Sequence, residues 1–438
     1  MQQYFYELSQ KLFKSLTGDE VLLLNYEAEN SDFARFNHNK IRQAGFVGQQ
    51  QLSLNLIAAK KQCTATFNLC GDPEQDMEQA KHILHSLRDR LEVLPVDPYL
   101  YFSTDIHNSE FFGENNLPDS ERAIDEIVTS ADGLDLVGIW ASGSIVRGFA
   151  NSLGQTNWHS THNFNFDWSV YHHTDKAIKM NYAGFEWQRD FLQAKLDFAR
   201  QTLPILEKPA KTIKPGKYRV FLTPGALQEL IDMLNWGGFG LKSHRTLQTP
   251  LLKMITEDQQ LDKRLSLIEN HEEGLAPCFT SSGFIKPKNV EIIVDGAYRD
   301  CLVDPRSAQE FNENVNCDHE QAQSLEMRSG KLHQDKILET LDTGIYISNL
   351  WYCNYSDRNH CRITGMTRFA CLWVENGVPV APLNVMRFDE SIYHVLGENL
   401  IDLTIEHEHI LDSGSYGKRS INSSRLPGIL ADNFSFTL

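Results

Sequence analysis

The tetrapeptide His271-Glu272-Glu273-Gly274 has the residue types of a hydrolytic site. An imidazole next to two carboxylates can bind a metal ion or act as a general base. Gly274, followed closely by Pro277, also fits a polar turn between two strands, and this is the simpler interpretation. The segment is therefore an open candidate, either a site or a turn.

A second pair of histidines lies near the end of the chain, at His407 and His409 within 405–410. In an extended strand these two side chains share one face and could chelate a divalent ion. No third ligand is evident beside them, and exposed edge strands often have this composition. Another group of histidines is interleaved with aromatic residues, an alternation more typical of packing than of a cleft: His159, His162, His172 and His173.

Thr223 and Pro224 predict the start of a helix directly after the apolar strand 218–222. Threonine is a preferred N-cap, and proline is favoured at the first helical position. Apolar residues at 227, 230, 231 and 234 form one face of the predicted helix 224–234. Metallohydrolases often carry paired histidines on a helix in such a position. This helix has none, and the sequence contains neither a phosphate-binding glycine loop nor a Gly-x-Ser-x-Gly turn.

The bulk composition narrows the classes of function. The 438 residues are 41% hydrophobic and 23% charged, typical of globular proteins and sufficient for roughly two to four domains. A net charge of −17 argues against direct binding to nucleic acid or anionic lipid. No apolar run is long enough to span a membrane, and the N-terminus lacks signal-peptide character. We therefore expect a cytoplasmic protein whose eight cysteines are free thiols.

Hydrophobic periodicity predicts an α+β protein of three units. Residues 1–95 read as helix, antiparallel meander and helix, and residues 96–205 repeat that order. A proline- and lysine-containing linker then leads into 206–438, a β-rich domain that includes helix 224–234. Its short strands are predicted at 290–303, 345–353, 368–374 and 378–387.

Several segments in this order resemble the TldD/PmbA family. The resemblance extends over nearly the whole chain. Each segment on its own matches the family only loosely, so the resemblance rests on the order in which the segments occur. The matching segments are 31–37 with 41–43, 146–154, 272–274, 294–296, 374–377 and Gly414-Ser415-Tyr416-Gly417-Lys418.

The resemblance implies metallopeptidase machinery acting on small or unfolded polypeptides, including peptide maturation. TldD-type members hold zinc through a helical His-Glu-x-x-x-His motif and a cysteine within Gly-x-Cys-Gly-Lys. Here the helical ligand positions are Gln228 and Met233 in one register, or Glu229 and Leu234 in the other. Tyr416 stands at the cysteine position. Neither register supplies a histidine, and Gln, Met and Tyr are poor zinc ligands.

The resemblance thus predicts a metal-free, non-catalytic TldE/PmbA-type subunit that binds no cofactor. Its expected partners are a zinc-bearing TldD-type homologue, or a second copy of this chain, together with a peptide substrate. Whether the chain has enzymatic activity of its own stays open. One alternative is an independent hydrolase with a relocated site drawn from His271, Glu272, His407 and His409. The other is a regulator that contacts a nucleic-acid enzyme such as gyrase.

Overall fold

The computed structural model describes residues 1–172 and 176–437 and confirms the α+β class. Within these residues the strands form two sheets, one in the N-terminal part and one in the C-terminal part. No helix in the described part of the chain has the length and apolarity needed to cross a membrane. All eight cysteines are free thiols. The nine α-helices of the described residues are α1 Gln2–Phe13, α2 Pro73–Val93, α3 Ser120–Ser130, α4 Arg189–Leu206, α5 Pro224–Asn235, α6 Leu241–Arg245, α7 Leu252–Thr256, α8 Pro305–Phe311 and α9 Ile337–Leu341.

Seven described strands form the N-terminal sheet, in the order β3-β2-β1-β5-β6-β4 with β7 paired to β6. The long hairpin β1–β2 turns at His38 and Asn39, whose positive φ angles of 50° and 52° suit a tight two-residue turn. These strands are β1 Val21–Asn37, β2 Lys40–Ala58, β3 Lys61–Asn68, β4 Ser109–Phe112, β5 Asp135–Asn151, β6 Thr156–His172 and β7 Lys176–Gly184.

Antiparallel pairing of β1 with β5 joins the strands of both predicted N-terminal units in one sheet. The pairing runs from Leu23 opposite Asn151 to Phe36 opposite Gly138. Local periodicity gave no indication of this long-range pairing. The unit boundaries at 95/96 and 205/206 stay a prediction.

The two faces of the N-terminal sheet differ in chemistry because side chains alternate along each strand. One face is apolar: α1 and α2 cover one end of it, and α3 and α4 cover the other. The opposite face carries buried polar side chains and packs against the C-terminal domain, with Asn25, Gln155 and His159 bonded to carbonyl oxygens of residues 275–283. The interface between the two parts of the chain is therefore mixed, since apolar clusters around Phe149 with Phe279 and around Ala183 with Leu275 lie beside these polar groups.

Thirteen described strands form the C-terminal sheet. The strand β20 lies at its centre and pairs with four others, β8, β12, β18 and β19. These strands are β8 Gly216–Leu222, β9 Leu267–Asn270, β10 Asn289–Val294, β11 Ala297–Tyr298, β12 Ser324–Met327, β13 Gly344–Ile347, β14 Asn349–Asp357, β15 Arg362–Arg368, β16 Leu372–Glu375, β17 Val378–Pro382, β18 Arg387–Ser391, β19 Leu400–Leu411 and β20 Ser423–Phe436.

All four strand stretches predicted in this domain have wrong boundaries. The stretch 290–303 covers the short hairpin β10–β11 except for its first residue and continues past its end, and the stretch 378–387 contains β17 and only the first residue of β18. The stretch predicted at 345–353 is divided at Ser348 into β13 and β14. The stretch predicted at 368–374 is interrupted because Phe369 has a φ of +60°, so the next strand begins only at Leu372. An apolar sequence hides the second break, since the left-handed conformation at Phe369 has no glycine or asparagine to indicate it.

Candidate functional site

The helix α5 begins where the sequence predicts. Thr223 Oγ1 accepts a hydrogen bond from the Ala226 amide at 3.2 Å and donates one to the Ser348 carbonyl at 2.7 Å. Its apolar face is buried in the main core of the C-terminal domain, through Leu227, Leu230, Ile231 and Leu234. The cap and the core contacts together fix the direction in which the opposite face points.

That opposite face lines a cavity of about 820 Å³ between the N-terminal sheet and the C-terminal domain, here named the α5 cavity. Its volume is in the range of small-molecule sites. The helix contributes Gly225, Gln228, Glu229, Asp232 and Asn235, while strands β6 and β7, helix α4 and the loop after β19 supply other walls. Those walls include Asn165, Asp167, Ile178, Lys179, Met180, Phe191, Lys195, Phe198, Asp412 and Ser413.

The structure brings together only part of the predicted degenerate zinc site. Gln228 and Glu229 face the cavity. Met233, with 7% of its surface exposed, and the fully buried Leu234 belong to the hydrophobic core instead. In either register, the second ligand position therefore points away from the cavity.

Tyr416 is fully exposed in the loop between β19 and β20. Its neighbours anchor this loop to the N-terminal sheet: Lys418 forms an ion pair with Glu27, and the Arg419 amide donates to Glu29 Oε2 at 3.0 Å. The side chain predicted to stand at the cysteine position thus points to solvent. Neither Tyr416 nor Met233 lines the α5 cavity, so the residues present do not fit a zinc ion held in the family's manner.

The α5 cavity is acidic. Burial, with a contribution from Asp232, raises the pKa of Glu229. Burial also raises the pKa of Asp232, against the hydrogen bond of 2.6 Å that Gln228 donates to it. The two lysines among the lining residues are each paired with a carboxylate, Lys179 with Asp167 at 3.0 Å and Lys195 with Glu408 at 2.8 Å.

The alternative candidates lie in separate environments. His271 is buried in a turn, where Nδ1 donates to the Pro287 carbonyl at 2.8 Å and Nε2 lies 3.3 Å from Glu269. Glu272 is exposed and forms an ion pair with Lys288. The polar-turn interpretation of 271–274 agrees with this geometry.

The histidines of β19 likewise have structural partners. His407 Nε2 donates to the Met327 carbonyl at 2.7 Å, and the His409 ring packs edge-on against Phe185 at 5.8 Å. Burial lowers the pKa of His409. Across residues 1–172 and 176–437, no group of three or more His, Cys, Asp or Glu side chains is arranged to hold a metal. The geometry gives no support to a relocated site.

Sequence reasoning missed Asp232, Asn165 and Asp412 as cavity residues. A signal for Asp232 was available, because positions 225, 228, 229, 232 and 235 form one polar stripe at helical spacing. No local signal could have found Asn165 or Asp412. Asn165 reaches the cavity through contact between the two parts of the chain, and Asp412 through the tertiary fold of the C-terminal domain. Of the histidines in the group interleaved with aromatic residues, His159 is buried in the interface, His162 and His172 lie in β6, and His173 lies outside the described residues.

His159 should make stability depend on pH. Burial lowers its pKa to about 4, so the folded protein excludes a proton that the unfolded chain binds. The free energy of unfolding is therefore highest above the pKa of this histidine in the unfolded chain. It decreases as the pH falls, by about 1.4 kcal/mol between about pH 7.5 and about pH 5.5. Urea unfolding at the two pH values measures this loss. His159→Gln, which keeps an N–H donor for the Leu275 carbonyl, should remove that part of the dependence, and an unchanged dependence would contradict the assignment.

A family model for the PmbA/TldA metallopeptidase C-terminal domain matches residues 215–438, just over half of the chain. The chain belongs to the TldD/PmbA family. Among solved structures it is similar to TldE from Thermococcus kodakarensis, with a TM-score of 0.78, 14% identity and coverage of 99% of this chain and 100% of the other.

Two bacterial structures named as proposed modulators of DNA gyrase have the same fold. The Thermotoga maritima protein has a TM-score of 0.76 and 13% identity, with 99% of each chain covered. The Bacteroides thetaiotaomicron protein has a TM-score of 0.74 and 14% identity, with 99% of this chain and 98% of the other covered. No curated protein matches the sequence. At these identities the structural likeness concerns the fold.

Proposed function

We propose that the chain is a zinc-free, non-catalytic subunit of a cytoplasmic TldD/TldE-type metallopeptidase. Family membership supports a peptidase-related role. The single observation that carries the proposal is the orientation of α5. Its polar face lines a large cavity, whereas both candidates for the second helical ligand, Met233 and Leu234, are buried in the core.

In this proposal the chain pairs with a zinc-bearing homologue, and the α5 cavity forms part of a wall around a peptide substrate. Mixed polar and apolar lining is suited to polypeptide, since backbone amides need hydrogen-bond partners and side chains need apolar contacts. The net charge of −17 supports neither direct nucleic-acid binding nor docking on anionic membranes. The same chain could also form homodimers.

Metal analysis of the purified chain tests the first part of the proposal. We expect zinc well below one ion per chain after dialysis against zinc-containing buffer, and no cleavage of an unfolded peptide. The second part is tested by co-purification with a TldD-type homologue from the same organism, which should yield a stable complex that cleaves the peptide. Stoichiometric zinc together with cleavage by the isolated chain would overturn the proposal.

A second candidate is regulation of a nucleic-acid enzyme through protein contact. The names of the Thermotoga maritima and Bacteroides thetaiotaomicron relatives favour it. Supercoiling by purified gyrase, measured with and without the chain, tests this candidate directly. An effect that persists in the absence of any TldD-type homologue would favour regulation over the subunit role.

A further inference from the structure

The α5 cavity contains side-chain carbonyl groups whose acceptor capacity is unused. Asn165 is only 8% exposed and lines the cavity, and its Nδ2 donates to the Leu411 carbonyl at 3.3 Å. That bond fixes the orientation of the amide and leaves Oδ1 without a donor. A buried carbonyl with no donor costs free energy that a ligand N–H group can recover.

Gln228 is arranged in the same way. Its Nε2 donates to Asp232, which commits the NH₂ end of the amide and leaves Oε1 buried without a partner. Asn349, also in the lining, has an unpartnered Oδ1 as well. The carbonyl oxygens of three side-chain amides around the α5 cavity therefore accept no hydrogen bond.

The charges of the lining point to the same kind of ligand. Carboxylates at Glu229, Asp232 and Asp412 face the cavity, while Lys179 and Lys195 are already paired with Asp167 and Glu408. Burial raises the pKa values of Glu229 and Asp232, and the charge of Lys179 only partly offsets this rise at Glu229. A bound cation would add positive charge beside both carboxylates.

The remaining lining is apolar and shaped by α4 and β7. Phe191 and Phe198 come from α4, and Ile178 and Met180 from β7. Such a surface packs against methylene groups while a charged end reaches polar atoms elsewhere. Acceptors and apolar wall together match a primary ammonium group on an aliphatic stem.

We propose that the α5 cavity binds the ammonium group and methylene stem of a lysine side chain carried by a peptide. The ammonium has three N–H donors, and the unpartnered amide oxygens and the carboxylates can accept hydrogen bonds from them. The assignment to a peptide, and not to a free polyamine, rests on the proposed function. The preference of the cavity for an alkylammonium group does not rest on the proposed function.

Calorimetric titration of the full chain tests the proposal with three probes. The first is an N-acetylated, C-amidated pentapeptide of alanines with a central lysine, and the second is the same peptide with norleucine in place of lysine. The third is spermidine. We expect the lysine peptide to bind and the norleucine peptide to bind at least about tenfold more weakly, as the loss of a charged hydrogen-bonding group implies.

Glu229→Gln and Asp412→Asn should each weaken lysine-peptide binding about tenfold, a change expected when a charged partner is neutralised without loss of shape. Glu78→Gln, an exposed carboxylate on α2, is the matched control and should bind like the parent. Thermal unfolding of each variant shows that it is folded.

Equal affinity for the lysine and norleucine peptides would overturn the proposal. So would unchanged binding in folded Glu229→Gln and Asp412→Asn variants. Binding of spermidine alone would overturn the assignment to a peptide. None of these outcomes alters zinc content or pairing with a homologue, so failure here is distinguishable from failure of the proposed subunit role.

Discussion

Replacing Arg419 with methionine should lower the free energy of unfolding by about 3 kcal/mol, the cost of removing one partner from a buried charged network. The Arg419 side chain is buried in the polar face of the N-terminal sheet. Its guanidinium donates to the Ser31 hydroxyl at 3.3 Å, to the Gly143 carbonyl at 3.4 Å and to Asn163. Methionine keeps the apolar stem but leaves these acceptors, and the nearby Glu29 carboxylate, without the cation.

Chemical denaturation of the Arg419→Met variant measures this effect. Arg425→Met is the matched control, because Arg425 is partly exposed and its ion pairs with Glu273 and Glu326 should contribute less than about 1 kcal/mol. Arg419→Lys should fall between the parent and Arg419→Met, since it restores the charge with fewer donors. Equal stability of the Arg419→Met and Arg425→Met variants would contradict the anchoring role of Arg419.

Introducing a histidine at the predicted second helical ligand position, Met233, should damage the fold without creating a zinc site. Met233 belongs to the core of the C-terminal domain, so Met233→His places an imidazole where it has no polar partner. We expect a loss of about 3 kcal/mol in unfolding free energy, combining lost apolar contacts with burial of a polar group. Denaturant unfolding gives the loss, and metal analysis gives the zinc content.

Gln228→His is the matched control for this experiment, because position 228 faces the cavity and can accept an imidazole. It should change stability by less than about 1 kcal/mol, the usual range for a substitution outside the core. The combined variant Gln228→His, Met233→His, Tyr416→Cys should remain free of zinc. Stoichiometric zinc binding by a stable triple variant would show that α5 can rotate its second ligand position into the cavity.

The elements with local signals were predicted from sequence. Thr223 and Pro224 defined the start of α5, and alternating residues defined strands such as β2 and β3. The pairing of β1 with β5 was not predictable in this way, because it joins residues more than a hundred positions apart through backbone bonds that any side chain permits.

The residues of the candidate site were likewise predicted only where the local sequence carried a signal. Gln228 and Glu229 were found because they lie in a helix with a recognisable position after β8. That Met233 faces the core, although one register predicts it at a ligand position, follows from how α5 packs on the domain. The contribution of Asn165 depends on contact between two domains, and that of Asp412 on tertiary packing within one domain, and a single sequence carries no periodic signal for either.

The central position of β20 has a consequence for the order of assembly during synthesis. Every described strand of the N-terminal sheet lies within residues 21–184, so this sheet can close while the rest of the chain is still on the ribosome. The larger sheet cannot close until residues 423–436 have been made. Throughout that interval the uncovered face of the N-terminal sheet presents Asn163, Asn165 and Thr161 to water. We expect these polar groups to limit aggregation of the half-made chain, while Leu23 and Phe149 on the same face stay uncovered until Phe279 has been made.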